Sequence, residues 1–226
     1  MSCVNMNEVA VAILAGGASS RMGQDKAGLR LPNNQTLLEY MFAQFQDYFV
    51  FSSGHRTTGS VPDLFDSRLG PVAGIISSIT WLKDTHPHIK QCVFIPVDLA
   101  YFSTKDLARL IAAEYQVAYF KDHPLPLKIE ISSMVLDVFQ DVMNEMQAMG
   151  GYPVYRFIQQ FKSRVELINA IPKSLTNINY RDDWDIFLND YLSGGVNPVS
   201  CKKVALSHNA SSDPCSAILP DFNKIT

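Results

Sequence analysis

Short, continuously apolar runs alternate along the chain with stretches whose apolar positions recur at helical spacing. The run Val9, Ala10, Val11, Ala12, Ile13, Leu14 has no polar break, so it predicts a strand covered on both faces. A loop rich in Gly and Ser follows. Thr36 then precedes Leu37, Leu38, Met41, Phe42 and Phe45, a stripe that predicts a helix capped by the threonine hydroxyl. Residues 48–51 predict a second strand, ended by Ser52, Ser53 and Gly54. A turn-rich stretch around Pro62 and Asp63 leads to Gly70-Pro71 and a helix over 73–82. Residues 92–97 predict another buried strand that stops at Asp98. Ser103 or Thr104 can cap a helix through Ile111, residues 116–120 predict a strand, and alternating Leu127, Ile129 and Ile131 mark one more. A long helix over 134–149 is stopped by Gly150-Gly151, a shorter one follows Pro153, and a last one starts near Asp182. Strands alternating with helices, without an internal repeat, predict an α/β three-layer sandwich with a mostly parallel sheet. Periodicity fades after Asp190, so the globular domain is expected over 1–194. Residues 195–226, rich in Ser, Asn and Pro, are expected to form a polar tail or linker.

Composition narrows the function classes. A chain of 226 residues that is 47% hydrophobic and 11% aromatic can bury a sizeable core. With 19 Lys+Arg against 22 Asp+Glu, the formal charge of −3 argues against broad electrostatic binding to nucleic acid or an anionic membrane. Cys3, Cys92, Cys201 and Cys215 form no C-x-x-C pair and are too sparse for a disulfide framework. No apolar run approaches the roughly 18 residues of a membrane helix. The apolar stretch from Val9 is preceded by Glu8 and by no Lys or Arg, unlike a signal peptide, so a cytoplasmic protein is expected.

The chemistry concentrates in Leu14-Ala15-Gly16-Gly17-Ala18-Ser19-Ser20-Arg21-Met22-Gly23-Gln24-Asp25-Lys26. This segment follows a buried strand, the usual place for a ligand in an open α/β sheet. Glycines let backbone N–H groups approach a phosphate, and Arg21 and Lys26 add a planar fork and a mobile point charge. The spacing fits neither G-x-x-x-x-G-K-[ST] nor G-x-G-x-x-G. A surface loop with two solvated cations is the competing reading. Asp98, directly after an apolar strand, belongs at the carboxyl edge of the sheet beside the same crevice, or else caps the following helix. Asn177 and Asn179 flank Ile178 at period two, which turns both amides to one side of an extended segment; two turn asparagines would look the same.

Residues 14–26 resemble the signature loop L-A-G-G-x-S-x-R-M-G-x-D-K of the molybdenum cofactor guanylyltransferases, within the nucleotidyltransferase fold, a Rossmann-like architecture. Ser19 takes the place of the motif serine. Gly70-Pro71-Val72-Ala73-Gly74, Pro96-Val97-Asp98 and Asn177-Ile178-Asn179 follow in the family's order, so the resemblance covers roughly residues 9–190. It implies transfer of GMP from GTP to molybdopterin with release of pyrophosphate. It further implies that Leu14, Ala15, Gly16, Gly17 and Lys26 hold GTP, with Arg21, Lys26 and Asp98 catalytic. Asp98 would bind Mg²⁺, and Asn177 and Asn179 would bind the pterin. Asp66 falls near the family's guanine-contacting aspartate, and a carboxylate accepts from both N1–H and the 2-amino group of guanine; an ordinary turn aspartate is the alternative. Partners implied are GTP, molybdopterin and molybdoenzyme maturation proteins.

Two departures stand out. Tyr180-Arg181-Asp182-Asp183 replaces the family's Thr-Pro-Glu-Asp, and the basic residue usual after the glycine ending the long helix comes only at Arg156. Arg156 is therefore the candidate for the acceptor phosphate, against the ordinary fate of a solvated helix arginine. His86 and His88 lack a nearby third ligand and read as a solvated loop, and Cys92 reads as an inert core thiol. Rival functions are cytidylyl transfer to the pterin, nucleotidyl transfer to a sugar phosphate, and non-catalytic binding of nucleotide or pterin.

Overall fold

The computed structural model describes residues 5–16, 25–54, 60–61, 64–65, 69–161, 165–170 and 172–196. Seven strands form one sheet: β1 (Val9–Leu14), β2 (Phe49–Ser53), β3 (Ser60–Val61), β4 (Gln91–Pro96), β5 (Val117–Phe120), β6 (His123–Glu130) and β7 (Val165–Ile168). Their spatial order is β3-β2-β1-β4-β6-β5-β7. Only β6 runs against its neighbours, pairing antiparallel with both β4 and β5. Every other pairing is parallel, so the expected α/β sandwich with a mostly parallel sheet is the one observed.

The unbroken apolar character of β1 has its cause in this arrangement. Val9, Val11 and Ile13 face a core closed by α1 (Leu37–Gln44), α3 (Thr104–Ile111) and α6 (Arg181–Leu192), where Met41, Phe45, Leu107, Leu110, Trp184 and Phe187 are buried. Ala10 and Ala12 face a second core closed by α2 (Pro71–Thr85), α4 (Ser133–Met149) and α5 (Val154–Gln159), with Ile75, Ile79, Phe139 and Phe157 inside. Side chains alternate across a strand, so a strand with helices on both sides must be apolar at every position.

Helix starts follow local chemistry. Thr36 and Glu39 form a capping box at α1, with Glu39 N–H donating to Thr36 Oγ1 over 3.2 Å and Thr36 N–H to Glu39 Oε2 over 2.7 Å. Ser103 and Asp106 do the same at α3. Gly150 ends α4 in the left-handed conformation, φ 70°. The helix expected over 73–82 is longer, Pro71–Thr85, because Pro71 suits the first helical turn, where its missing N–H leaves no bond unmade. β7 has no counterpart in the sequence reading. It is four residues long, lies at the sheet edge and is half-buried at best, so its hydrophobic signal is weak.

No helix among the described residues is long and apolar enough to cross a membrane. The expected tail over 195–226 lies almost wholly outside the described residues.

Candidate active site

The carboxyl ends of β1, β2 and β4 converge with the N-terminus of α2 on one cleft of about 410 Å³. Its walls include Leu14, Ala15 and Gly16 beyond β1, Ser53 and Gly54 beyond β2, Gly70, Pro71 and Gly74 at α2, and Asp98 beyond β4. Backbone bonds hold these ends in register past the strands themselves. Ala15 N–H donates to the Ser53 carbonyl over 2.9 Å, and Val97 N–H to the Leu14 carbonyl over 3.0 Å.

Gly16 and Gly54 meet backbone to backbone. A Cβ on Gly16 would lie 3.0 Å from Gly54 Cα, and one on Gly54, whose φ is 79°, would lie 2.8 Å from Gly16 Cα. No side chain fits between them, so the cleft wall there is bare main chain that a ligand can approach closely. The N-terminal end of α2 also lines the cleft, which favours an anion there by its dipole.

The charged groups come next. Asp25 caps a 3-10 turn over Lys26–Gly28, its Oδ1 accepting from Ala27 N–H over 3.0 Å, and this turn aims Lys26 into the cleft. Lys26 Nζ donates to Asp98 Oδ2 over 2.8 Å and to Asn179 Oδ1 over 2.9 Å. The two side chains of the ion pair are 13% and 20% exposed, so solvent screens them far less than a surface pair. Asp98 is tied from behind as well, its carbonyl accepting from Ile178 N–H over 2.9 Å. The segment carrying Asn179 is braced in turn by Asp183 Oδ2, which accepts from the N–H groups of Asn179 and Tyr180 over 2.9 and 2.8 Å.

The structure thus brings Leu14, Ala15, Gly16, Lys26 and Asp98 to one cleft and attaches Asn179 to it through Lys26. Asn177, expected on the same side as Asn179, is exposed and does not line the cleft. Arg156 is not among the described residues lining the cleft either. Its guanidinium pairs with Glu145 over 2.6 Å, lies against Met149 and sits 5.0 Å from the centre of the Tyr152 ring. Gly17, Arg21 and Asp66 lie outside the described residues. The sequence reading passed over Gly54, Ser53 and the N-terminal turn of α2 as lining groups. The Gly70-Pro71 pair was the signal for the last of these. The close approach of Gly54 to Gly16 has no sequence signature.

Among the described residues no three His, Cys, Asp or Glu side chains gather as a complete metal cage. A magnesium ion does not need one: it is commonly held by one or two carboxylates and the oxygens of a substrate polyphosphate. Asp98, with Asp25 also on the cleft wall, is a donor set that fits such an ion. Elsewhere, His86 packs on Phe49 and Trp81, with ring centres 4.4 and 4.8 Å away, and burial together with His88 lowers its pKa. Cys92 is fully buried, and burial pushes its thiol well above the ordinary range.

Residues 11–160 match the family described as the MobA-like NTP transferase domain. A molybdenum cofactor guanylyltransferase of Rhizobium johnstonii is 32% identical over 115 residues, covering 49% of this chain and 54% of that protein. The chain therefore spans about half the length of this relative. One from Xanthomonas euvesicatoria is 32% identical over 136 residues, 58% of this chain and 69% of the relative. Among solved structures, the molybdopterin-guanine dinucleotide biosynthesis protein A of Archaeoglobus fulgidus superposes with a TM-score of 0.63 at 18% identity, covering 81% of this chain and 98% of that one. The 2-C-methyl-D-erythritol 4-phosphate cytidylyltransferase of Thermus thermophilus superposes with a TM-score of 0.56 at 16% identity, covering 80% and 98%. At these identities the two superpositions establish a shared fold.

Proposed function

Since the chain belongs to the family of MobA-like NTP transferase domains, we propose that it transfers GMP from GTP to the phosphate of molybdopterin and releases pyrophosphate. The observation that carries this reading is the Lys26–Asp98 pair, a cation and a carboxylate together on the wall of a cleft that is also lined by bare main chain and a helix N-terminus. A metal–polyphosphate carries both signs of charge and needs both signs in its site.

In the reaction, an oxygen of the acceptor phosphate attacks the α-phosphorus of GTP. A new O–P bond forms as the bond from the α-phosphorus to the bridging oxygen of pyrophosphate breaks, and that electron pair leaves with the pyrophosphate. An anionic acceptor oxygen needs no protein base, so the protein contributes position and charge. The main chain at Leu14, Ala15 and Gly16 lets the phosphates approach, Lys26 neutralises them, and the N-terminal turn of α2 adds its dipole. Asp98, with Asp25 on the wall of the same cleft, would hold Mg²⁺, which would supply charge compensation for the leaving pyrophosphate. The identity of the relatives named as molybdenum cofactor guanylyltransferases supports guanine as the base.

The test is turnover and calorimetric binding with GTP, ATP, CTP and UTP, with molybdopterin and Mg²⁺ present or withheld. The expected result is at least tenfold tighter binding of GTP than of ATP or CTP, because a site that pairs with one base edge leaves its polar groups unpaired with another. Equal affinities, or turnover with CTP alone, would overturn the guanylyl assignment.

A further inference from the structure

The Lys26 ammonium bonds to two segments far apart along the chain. The ammonium donates to Asp98 on the cleft wall and also to Asn179, which does not line the cleft. We propose that Asn179 is a positioning residue for the nucleotide site, acting through Lys26, and that it thereby couples the segment over 177–179 to nucleotide binding. The inference rests on the proposed nucleotidyl transfer and deepens it, assigning Asn179 to the nucleotide side in addition to any contact with the acceptor.

Three observations carry it. The Asn179 amide oxygen is a neutral acceptor, so it fixes the ammonium in space and leaves its charge uncompensated, unlike Asp98. A lysine side chain has a flexible four-carbon stem, so an ammonium held by Asp98 alone would follow the carboxylate. The third is rigidity. Asn179 is anchored by its own backbone N–H to Asp183 Oδ2, and its neighbour Ile178 is buried and donates to the Asp98 carbonyl. The amide therefore has a fixed place relative to Asp98 and gives the Lys26 ammonium a second anchor beside the carboxylate. Anything that moves the segment over 177–179 moves the ammonium. An acceptor that shifted this segment on binding would alter GTP affinity, and GTP would then alter the acceptor's affinity by the same factor.

The side chain is the only part removed by Asn179→Ala, since both bracing bonds use main-chain N–H groups. The experiment is a double-mutant cycle on GTP binding, measured by calorimetry on the full chain without acceptor, using wild type, Asn179→Ala, Lys26→Ala and the double variant. The expected result is a 3- to 10-fold weaker GTP affinity in Asn179→Ala, and less than 1.5-fold further loss when the same change is made in Lys26→Ala. Gln140→Ala, which alters an exposed amide on α4 with no place on the cleft, should leave GTP affinity unchanged. The isosteric Asn179→Asp keeps the fold and sets a second carboxylate on the ammonium, so it should weaken GTP at least as much as Asn179→Ala.

Unchanged GTP affinity in both Asn179 variants would overturn the inference, as would an equal loss with and without Lys26. A wild type that prefers CTP would overturn the guanylyl reading alone, and the cycle would then be read with CTP. A wild type that binds no nucleotide would overturn both.

Discussion

Gly54 is the residue where the cleft is least tolerant. An alanine there would have to hold φ near 79° and place its Cβ 2.8 Å from Gly16 Cα. The left-handed backbone alone costs about 1–2 kcal/mol for an L-residue, and the overlap adds to it. Gly54→Ala should therefore lose at least that stability in chemical denaturation and bind GTP poorly. Gly28→Ala is the fitting control, because a Cβ at Gly28 meets nothing within 4 Å. Asp98 offers a different test at the same scale. Asp98→Asn keeps the size and leaves the Ile178 bond to the main chain, so the fold should persist. Turnover should fall on the order of 10²-fold, the scale of deleting one charge-stabilising group. A wild-type rate with unchanged Mg²⁺ dependence would show that this carboxylate has no part in the reaction.

The elements that carry the site are held by contacts of their own. α6 and the short 3-10 turn at Pro172–Leu175 flank the segment over 177–179. Asp190 on α6 accepts from Tyr101 Oη over 2.8 Å and pairs with Lys173 Nζ at 3.1 Å, binding both elements to the loop after β4. The Tyr101 hydrogen bond and then Lys173 stabilise the anionic form, so the Asp190 carboxyl titrates below its ordinary value. A depressed folded pKa means the contribution is fully present above the unfolded pKa of about 3.9 and is lost as pH falls through the lower folded value. Wild type should therefore exceed Asp190→Asn in thermal stability near neutral pH, and the gap should close in acid. A gap that does not shrink as the pH falls below the unfolded value would show that the charge is not its source. At α3, Ser103→Ala removes one half of the capping box and should cost about 1 kcal/mol, read by denaturation.

At the scale of the molecule, two cores on opposite faces of one sheet hold the carboxyl ends of β1, β2 and β4 level. Phe187 is fully buried in the first core and meets the rings of Tyr40, Tyr101 and Trp184. Phe187→Ala should destabilise the fold by about 3–5 kcal/mol. It should also loosen α6 against the sheet and so reach Asn179 and Lys26. A variant with lowered stability but wild-type GTP affinity at low temperature would separate the core from the site. On the same face of the sheet, Lys128 on β6 is only 1% exposed, yet it donates to the carbonyls of Ala113 and Tyr115 and to Glu130. It satisfies main-chain acceptors just beyond α3, a role that exists only once β6 lies beside β5.

Local pattern sufficed wherever the cause was local. The unbroken run of β1, the Thr36 and Ser103 caps, Gly150 at the end of α4 and the position of Asp98 beyond β4 all express chemistry within a few residues. From these the sequence alone determined the α/β class, the mostly parallel sheet and the cleft at its carboxyl edge. What it could not determine were relations between distant segments. Lys26 and Asn179 are 153 positions apart, and whether Asn179 faces an acceptor, a lysine or water depends on how α6 closes over the sheet. Asn177, two residues away and matched to it by period, is exposed. The pairing of Arg156 with Glu145, the meeting of Gly16 with Gly54 and the buried Lys128 belong to this second kind. Their partners are supplied by packing, and packing energies depend on neighbours that no window along the chain contains.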